Sequence, residues 1–429
     1  MSQPSKSIAT SPGTALEFKS YDEDQAYLAS ENPEPHSRSS TVIYYDYNRS
    51  ATSPRTSKWW VKVTFRGYVY GQKVPIHQRQ RELENFVQCI DFSSIPLLDD
   101  TVTEVLLDDP STTSLSEKTE AEERVTVTGA VLKMHAGHKL NPNNPFAPVA
   151  ASLRYTTRED PARVIYPSLD EFASFQRIRS EILVDRTEIN DHVFRVRHGP
   201  RNKPYILKTV NRAFYKTHDT EAMRNELGTL ARFRNAPNLV QAAGVVVSQN
   251  PYQTLRTADQ PTQDVIIGVL LEFYPGGSLR TIIQQDPGLN GYPWQRWALQ
   301  VTTALHGIHL AGKTHMDIKT ANVFLDADGD AVLIGIGGNG WVTPGWTAPE
   351  LRDTISGGWD HLPFEARRLN DSWALGKLLL QITGYVDNCD AEKVVSDVGR
   401  ALMGDSVYWA RMSLPDAIKK LEAAGIGKQ

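Results

Sequence analysis

Cysteine is scarce: Cys89 and Cys389 are the two in 429 residues, and they lie far apart in the chain. No disulfide framework and no cysteine-based zinc cluster can be built from such a pair. No apolar run approaches the ~20 residues that a helix needs to cross a bilayer. The opening stretch, MSQPSKSIATSPG, has no hydrophobic segment, so a secretory leader is not expected. Excess charge is also missing. The chain has 46 Lys and Arg against 50 Asp and Glu, a formal net charge of −4. That gives no basic field for nucleic acid. What remains is a soluble, globular composition, 40% hydrophobic and 22% charged. A cytoplasmic or nuclear location is the default expectation, with neither nucleic acid nor membrane as partner. His135 and His138 form an isolated H-x-x-H with no further ligand residues beside it, and read as loop histidines rather than a metal site.

The length suits two or three domains. Residues 1–40 are rich in Ser, Pro, Glu and Asp and are expected to be a disordered tail. From 41 to 136 the pattern predicts a small β-rich accessory domain. Trp59, Val61, Val63 and Phe65 alternate with Trp60, Lys62, Thr64 and Arg66, the period of a half-buried strand. Thr41–Tyr45 is its expected neighbour, and Tyr68–Tyr70 an expected continuation. Further strands are expected at Phe86–Ile90, at Val102–Leu107 and from Val125. The Ser/Thr/Glu run from Ser111 to Glu123 reads as a mobile loop. Trp60, on the polar side of its strand, reads as a ring packed under a neighbouring element. Prolines and asparagines mark 137–167 as a linker. Ser168 with Glu171 three residues on has the form of a capping box. Leu169, Phe172, Phe175, Ile178 and Ile182 then predict a helix opening a domain that runs from 168 to 429.

The chemistry concentrates in Thr314–Asn322. Asp317 supplies a carboxylate, Lys319 an ammonium two residues on, and Asn322 a carboxamide three further. A general base, a phosphate-neutralising cation and a metal-binding amide fit that spacing. It resembles the protein-kinase catalytic loop, H-R-D-x-K-x-x-N. The flanking stretches are similar in order and spacing. Tyr205-Ile206-Leu207-Lys208 resembles the V-A-I-K strand, and Glu226 the helical glutamate that orients its lysine. Val265–Leu271 followed by Glu272-Phe273-Tyr274-Pro275-Gly276-Gly277 resembles the hinge. The apolar stripe from Trp294 to Ile308 suits the helix before the loop. Thr343–Glu350 resembles the T-P-x-Y-x-A-P-E shelf, and Asp371–Gly376 the D-x-W-x-x-G helix. Arg411 stands where the family keeps the partner of Glu350.

The resemblance covers more than half of the chain. It implies an α+β, bilobal protein-kinase-like fold carrying an N-terminal β-rich accessory domain. It implies Asp317, Lys319 and Asn322 as catalytic residues, with Asn322 also a metal ligand. Lys208, Glu226, Leu271, Glu272 and Tyr274 become the nucleotide-binding residues, Leu271 as gatekeeper. Lys319 and Thr343 suit the serine/threonine class.

The departures matter as much. The family's D-F-G triplet, whose Asp holds magnesium, falls on Gly335-Ile336-Gly337. Glycine cannot bind a metal through a side chain. Asp328 and Asp330 lie at the far end of the preceding strand. The phosphate-covering loop is also altered: no glycine occurs from Ile182 to His198, and its glycine places fall on Arg186, Glu188 and Asp191. Ile206 replaces a small Ala above the adenine. Met316 replaces the Arg that receives an activation-loop phosphate, and Gly338–Val342 offers no hydroxyl group, so switching by loop phosphorylation is not expected. ATP is the implied cofactor, weakly held, and the missing carboxylate counts against Mg²⁺. The expected function is that of a serine/threonine-kinase-like regulator, a pseudokinase that signals by binding a protein partner. The alternative is an active or weakly active kinase passing the ATP γ-phosphoryl group to a protein hydroxyl. The shelf at Thr343–Glu350 argues against a small-molecule kinase.

Overall fold

A computed structural model of the full chain describes residues 7–11, 13–29, 32–47, 57–108, 125–135, 137–190, 192–210, 219–254, 264–286, 288–337, 343–352, 362–404 and 411–427. The expected loop at Ser111–Glu123, the Gly338–Val342 segment and Asp191 lie outside these residues. The chain divides into two units. One comprises 1–166 with 211–217 and 248–265; the other comprises 167–210, 218–247 and 266–429.

The first unit is built on a seven-stranded sheet ordered β1-β2-β3-β4-β5-β7-β6. Its strands are β1 (Ser7–Ser11), β2 (Thr14–Glu23), β3 (Ser37–Asp46), β4 (Ser57–Arg66), β5 (Val102–Asp108), β6 (Val125–Val131) and β7 (Arg154–Glu159), with helix α1 (Ile76–Val87) between β4 and β5. β4 and β5 are parallel, which requires the crossover that α1 supplies. The alternation in β4 works as the period demands. Trp59, Val61, Val63 and Phe65 enter one core with Leu83, Phe86 and Phe146. Trp60 is buried and meets the ring of Tyr252 edge-on at 5.7 Å.

Four expectations need correction here. The tail expected over 1–40 holds β1, β2 and the start of β3, with Leu16 fully buried. Phe86–Ile90 is not a strand: Phe86 and Val87 close α1, their side chains in the core. Tyr68–Tyr70 does not extend β4. Instead the backbone N–H groups of Val69, Tyr70 and Gly71 donate to the buried carboxylate of Glu34, which also accepts from Arg38. Burial raises the Glu34 acid, but those donors outweigh it and hold it below the usual range. The stretch 137–167, expected as a linker, contributes β7 to the sheet and Phe146 and Leu153 to the core.

The second unit carries a six-stranded sheet ordered β8-β12-β13-β11-β10-β9. These are β8 (Arg177–Arg179), β9 (Val184–Asn190), β10 (Val193–His198), β11 (Lys203–Thr209), β12 (Ala242–Gln249) and β13 (Asp264–Glu272), with helix α2 (Asp219–Arg232) between β11 and β12. Its helical part comprises α3 (Leu279–Gln285), α4 (Trp294–Leu310), α5 (Phe364–Thr383), α6 (Asp390–Met403) and α7 (Leu414–Ala423), with the short pair β14 (Val323–Leu325) and β15 (Ala331–Leu333). One apolar core runs from α2 through α4 to α5 and α7. α4 ends as its sequence indicates, with Gly312 at φ +71 just past the last turn.

The helix expected after Ser168 does not form. Ser168 N–H does bond to the Glu171 carboxylate, at 3.0 Å. Beyond it the chain turns and enters β8, where Ile178 pairs with Val246 of β12. Ile178 is buried in the strand pair and Phe175, just before it, in the apolar core, without a helix.

Candidate active site

β11 brings Lys208 to the cleft face of its sheet. In the register of β11 on β13, Ile206 faces Leu271 and Lys208 faces Val269. The period of two puts Ile206, Lys208, Val269 and Leu271 on one face. Lys208 Nζ lies 2.8 and 2.7 Å from the two carboxylate oxygens of Glu226 on α2. The expected lysine–glutamate pair is therefore closed.

At the end of β13, Glu272 N–H donates to Gln241 O at 2.9 Å, and its carboxylate pairs with Lys203 at 2.6 Å. That partner raises the Lys203 ammonium above its ordinary value. The Tyr274 hydroxyl accepts from Gln241 N–H at 3.1 Å, so its side chain braces the hinge from behind. Lys203 and Gln241 went unnoticed in the sequence, since neither belongs to a motif.

The catalytic-loop residues converge. Asp317 Oδ2 stands 2.7 Å from Lys319 Nζ. Asp317 Oδ1 accepts from the Thr343 hydroxyl at 2.8 Å, and that hydroxyl accepts from Lys319 at 2.8 Å. Asn322 Nδ2 donates to the Asp317 backbone oxygen at 2.7 Å and to its Oδ2 at 2.9 Å. The loop itself is held from below. The Asp371 carboxylate, fully buried, accepts from His315 N and Met316 N, both at 2.7 Å, and from His309 Nε2 at 3.0 Å. Those two amide bonds hold Met316 at φ +64, a conformation that a β-carbon disfavours. His315 Nε2 meets the Ile334 carbonyl at 2.8 Å, while Nδ1 accepts from Asp317 N at 3.2 Å. This pair of partners requires the neutral ring with its proton on Nε2. Burial pushes the His315 pKa down, consistent with a neutral ring.

The shelf is anchored too. Arg411 reaches the Glu350 carboxylate at 2.5 and 3.0 Å. Burial raises the Glu350 acid, but Arg411 outweighs it and holds it below the ordinary range. Ala348 N–H donates to Asn370 Oδ1 at 2.9 Å, and Asn370 Nδ2 meets Met316 Sδ at 3.9 Å. Met316, in the place of a phosphate-receiving Arg, is thus a buried packing residue.

The metal side of the site is different. Gly335 has φ +79 and faces Asn322: a β-carbon built on it would lie 3.8 Å from Asn322 Nδ2 and 3.8 Å from His315 Cε1. The position is right for a second ligand, and the side chain is absent. Ile336 is buried in the core. Gly337 lies so close to α2 that a β-carbon there would stand 2.8 Å from Glu226 Cβ. Asp330 is paired with Arg296 at 2.8 Å, and Asp326 caps the amides of Asp328 and Asp330. Among the described residues no three His, Cys, Asp or Glu side chains converge on a metal position. The donor set does not fit a magnesium pair.

The cover hairpin is tight. Asn190 pairs with Val193, and the His192 carbonyl accepts Thr209 N–H at 2.9 Å. Arg186 lies over the Phe194 ring at 3.7 Å. Glu188, opposite Phe194 in register, is exposed on the edge strand.

Comparison with known proteins agrees with this geometry. Residues 190–392 match the protein kinase domain family. That stretch of the chain is a protein kinase domain. Over 174 residues it is 25% identical to the mouse hormonally up-regulated neu tumor-associated kinase, covering 39% of this chain and 22% of that protein. Over 149 residues it is 31% identical to the Saccharomyces cerevisiae fatty acyl-CoA synthetase and RNA processing-associated kinase 1, covering 31% and 16%. It is 26% identical over 162 residues to human serine/threonine-protein kinase MRCK gamma, covering 34% and 10%. The chain thus spans about a fifth or less of the length of these curated relatives.

Proposed function

We propose that this chain is a pseudokinase of serine/threonine-kinase type, which regulates a protein partner and transfers phosphate slowly or not at all. Gly335 carries the argument. A divalent ion between the β- and γ-phosphates neutralises charge that develops in a dry site. Losing several kcal/mol of that stabilisation lowers the rate by about three to four orders of magnitude, at tenfold per 1.36 kcal/mol. The cover hairpin supports the same reading: the His192 carbonyl at its end is bonded back to β11, and by the family resemblance the exposed acid Glu188 takes the place of a glycine whose amide would meet phosphate.

A second reading has its own support. Lys208–Glu226 and Asp317–Lys319–Thr343–Asn322 are assembled with bonding distances of 2.7–2.9 Å. On that reading Asp317 takes the proton of a protein hydroxyl, Lys319 neutralises the phosphoryl group, Lys208 grips ATP, and Asn322 alone binds a metal ion. Autophosphorylation of the wild type beside Asp317→Asn separates the two. The pseudokinase reading expects both at background. Transfer by the wild type that vanishes in Asp317→Asn establishes the second reading instead.

A further inference from the structure

The shelf that follows Thr343 is gripped by two cations that no kinase motif calls for. Lys377, six residues after Asp371 on α5, donates to the Gly345 carbonyl at 2.5 Å. Arg352 donates to the Thr347 carbonyl at 3.2 Å. The two cations share one support: Lys377 Nζ lies 5.6 Å and Arg352 Cζ 5.7 Å from the Trp373 ring centroid. Lys377 Nζ also lies 5.2 Å from the Trp346 ring, so the ammonium sits between an indole of α5 and an indole of the shelf. Trp373 itself is buried.

We propose that Lys377 is a positioning residue, which docks the shelf on α5 by its charge and thereby fixes Thr343 against Asp317. The linkage is short. Gly345 is two residues from Thr343, the Thr343 carbonyl accepts from Trp346 N at 2.7 Å and from the Thr347 hydroxyl at 3.3 Å, and the Thr343 side chain contacts Asp317 and Lys319. A carbonyl bonded by an ammonium, with that ammonium between two π faces, is a charge-dependent contact. Together with Met316 in place of an arginine, it makes shelf order a constant of the fold, set by a lysine rather than by a loop phosphate. Neutralising that lysine, as acetylation does, releases the shelf. The proposal rests on reading Thr343–Glu350 as a peptide-binding shelf, but not on whether phosphate is transferred.

Amide hydrogen exchange on the full chain tests it without needing activity. Lys377→Met is expected to speed exchange at Trp346 and Thr347 by about tenfold, the scale of one lost charge-assisted bond. Exchange at Leu378 and Leu379, inside α5, is expected to stay at the wild-type rate. Lys377→Arg, which keeps a charged donor, is expected to restore slow exchange, and phosphatase treatment of the wild type to change nothing. Shelf exchange unaltered in Lys377→Met overturns the proposal. So does failure of Arg to rescue while α5 stays protected, or a phosphatase-induced rise in the wild type.

Discussion

Gly335→Asp is the substitution that adds back what the site lacks. The backbone there already has φ +79, a region that Asp tolerates better than most residues, so the folding cost is about 1 kcal/mol. Space is available: the new β-carbon meets nothing nearer than 3.8 Å, and its nearest neighbours are Asn322 and His315. The new carboxylate would stand beside the Asn322 carboxamide, whose Nδ2 is held by Asp317. Without metal the variant is expected to melt about 2–4 °C below the wild type, by the usual conversion for a domain of this size. With nucleotide and Mg²⁺ at about 100 times the dissociation constant, linkage contributes about 2.7 kcal/mol, or roughly 5–10 °C. The assay is differential scanning fluorimetry of both proteins with ATP, with and without Mg²⁺. A metal-dependent rise in the variant alone supports the assignment. The same response in both proteins, or in neither, refutes the reasoning that the missing carboxylate is the main defect. In the second case the blame passes to the cover hairpin.

Asp371→Asn puts an N–H donor against one of the three N–H groups that its carboxylate now accepts. The expected loss is about 3–5 kcal/mol in urea denaturation, combining lost charge-assisted bonds with an unpaired buried donor. A loss below about 1 kcal/mol would show that the loop holds Met316 at its positive φ without Asp371. The His315 pKa is depressed in the fold, so the unfolded chain binds its proton first as pH falls. This contribution is therefore fully present above the unfolded value of about 6.5 and is lost progressively below it, by at most about 1.4 kcal/mol per pH unit. Urea titrations at pH 7.5 and 5.5 should show the wild type losing more stability than His315→Gln, and equal losses would contradict a neutral buried imidazole.

The sequence made the second unit's chemistry legible because each motif is local. Asp317, Lys319 and Asn322 lie within six residues, and a 3₁₀ turn at Thr320–Asn322 folds the amide back on the acid. Lys208 and Glu226 need a strand and a helix in sequence, and both show in the pattern. The first unit was read less well, for identifiable reasons. β2 pairs with β3 through a bulge between Phe18 and Ser20, which breaks the alternation of Leu16, Phe18 and Tyr21 that would have marked a strand. α1 is polar over most of its length, and only Leu83, Phe86 and Val87 are buried apolar residues, crowded toward its end. Its buried Arg79 is paired with Glu23 and Tyr27 from elements far away in sequence. The Lys377 grip was illegible for a similar reason: its two indoles come from different segments and meet only in the folded chain.

The claim that the fold is kept while the metal site is lost can be tested on the wild type alone. The measurement is the melting temperature with ATP at saturating concentration, before and after adding Mg²⁺ or Mn²⁺. No further rise on adding the ion is expected, because position 335, which faces Asn322, carries a glycine and no carboxylate. A metal-dependent rise of several degrees would contradict the account and show that the chain binds nucleotide and metal together.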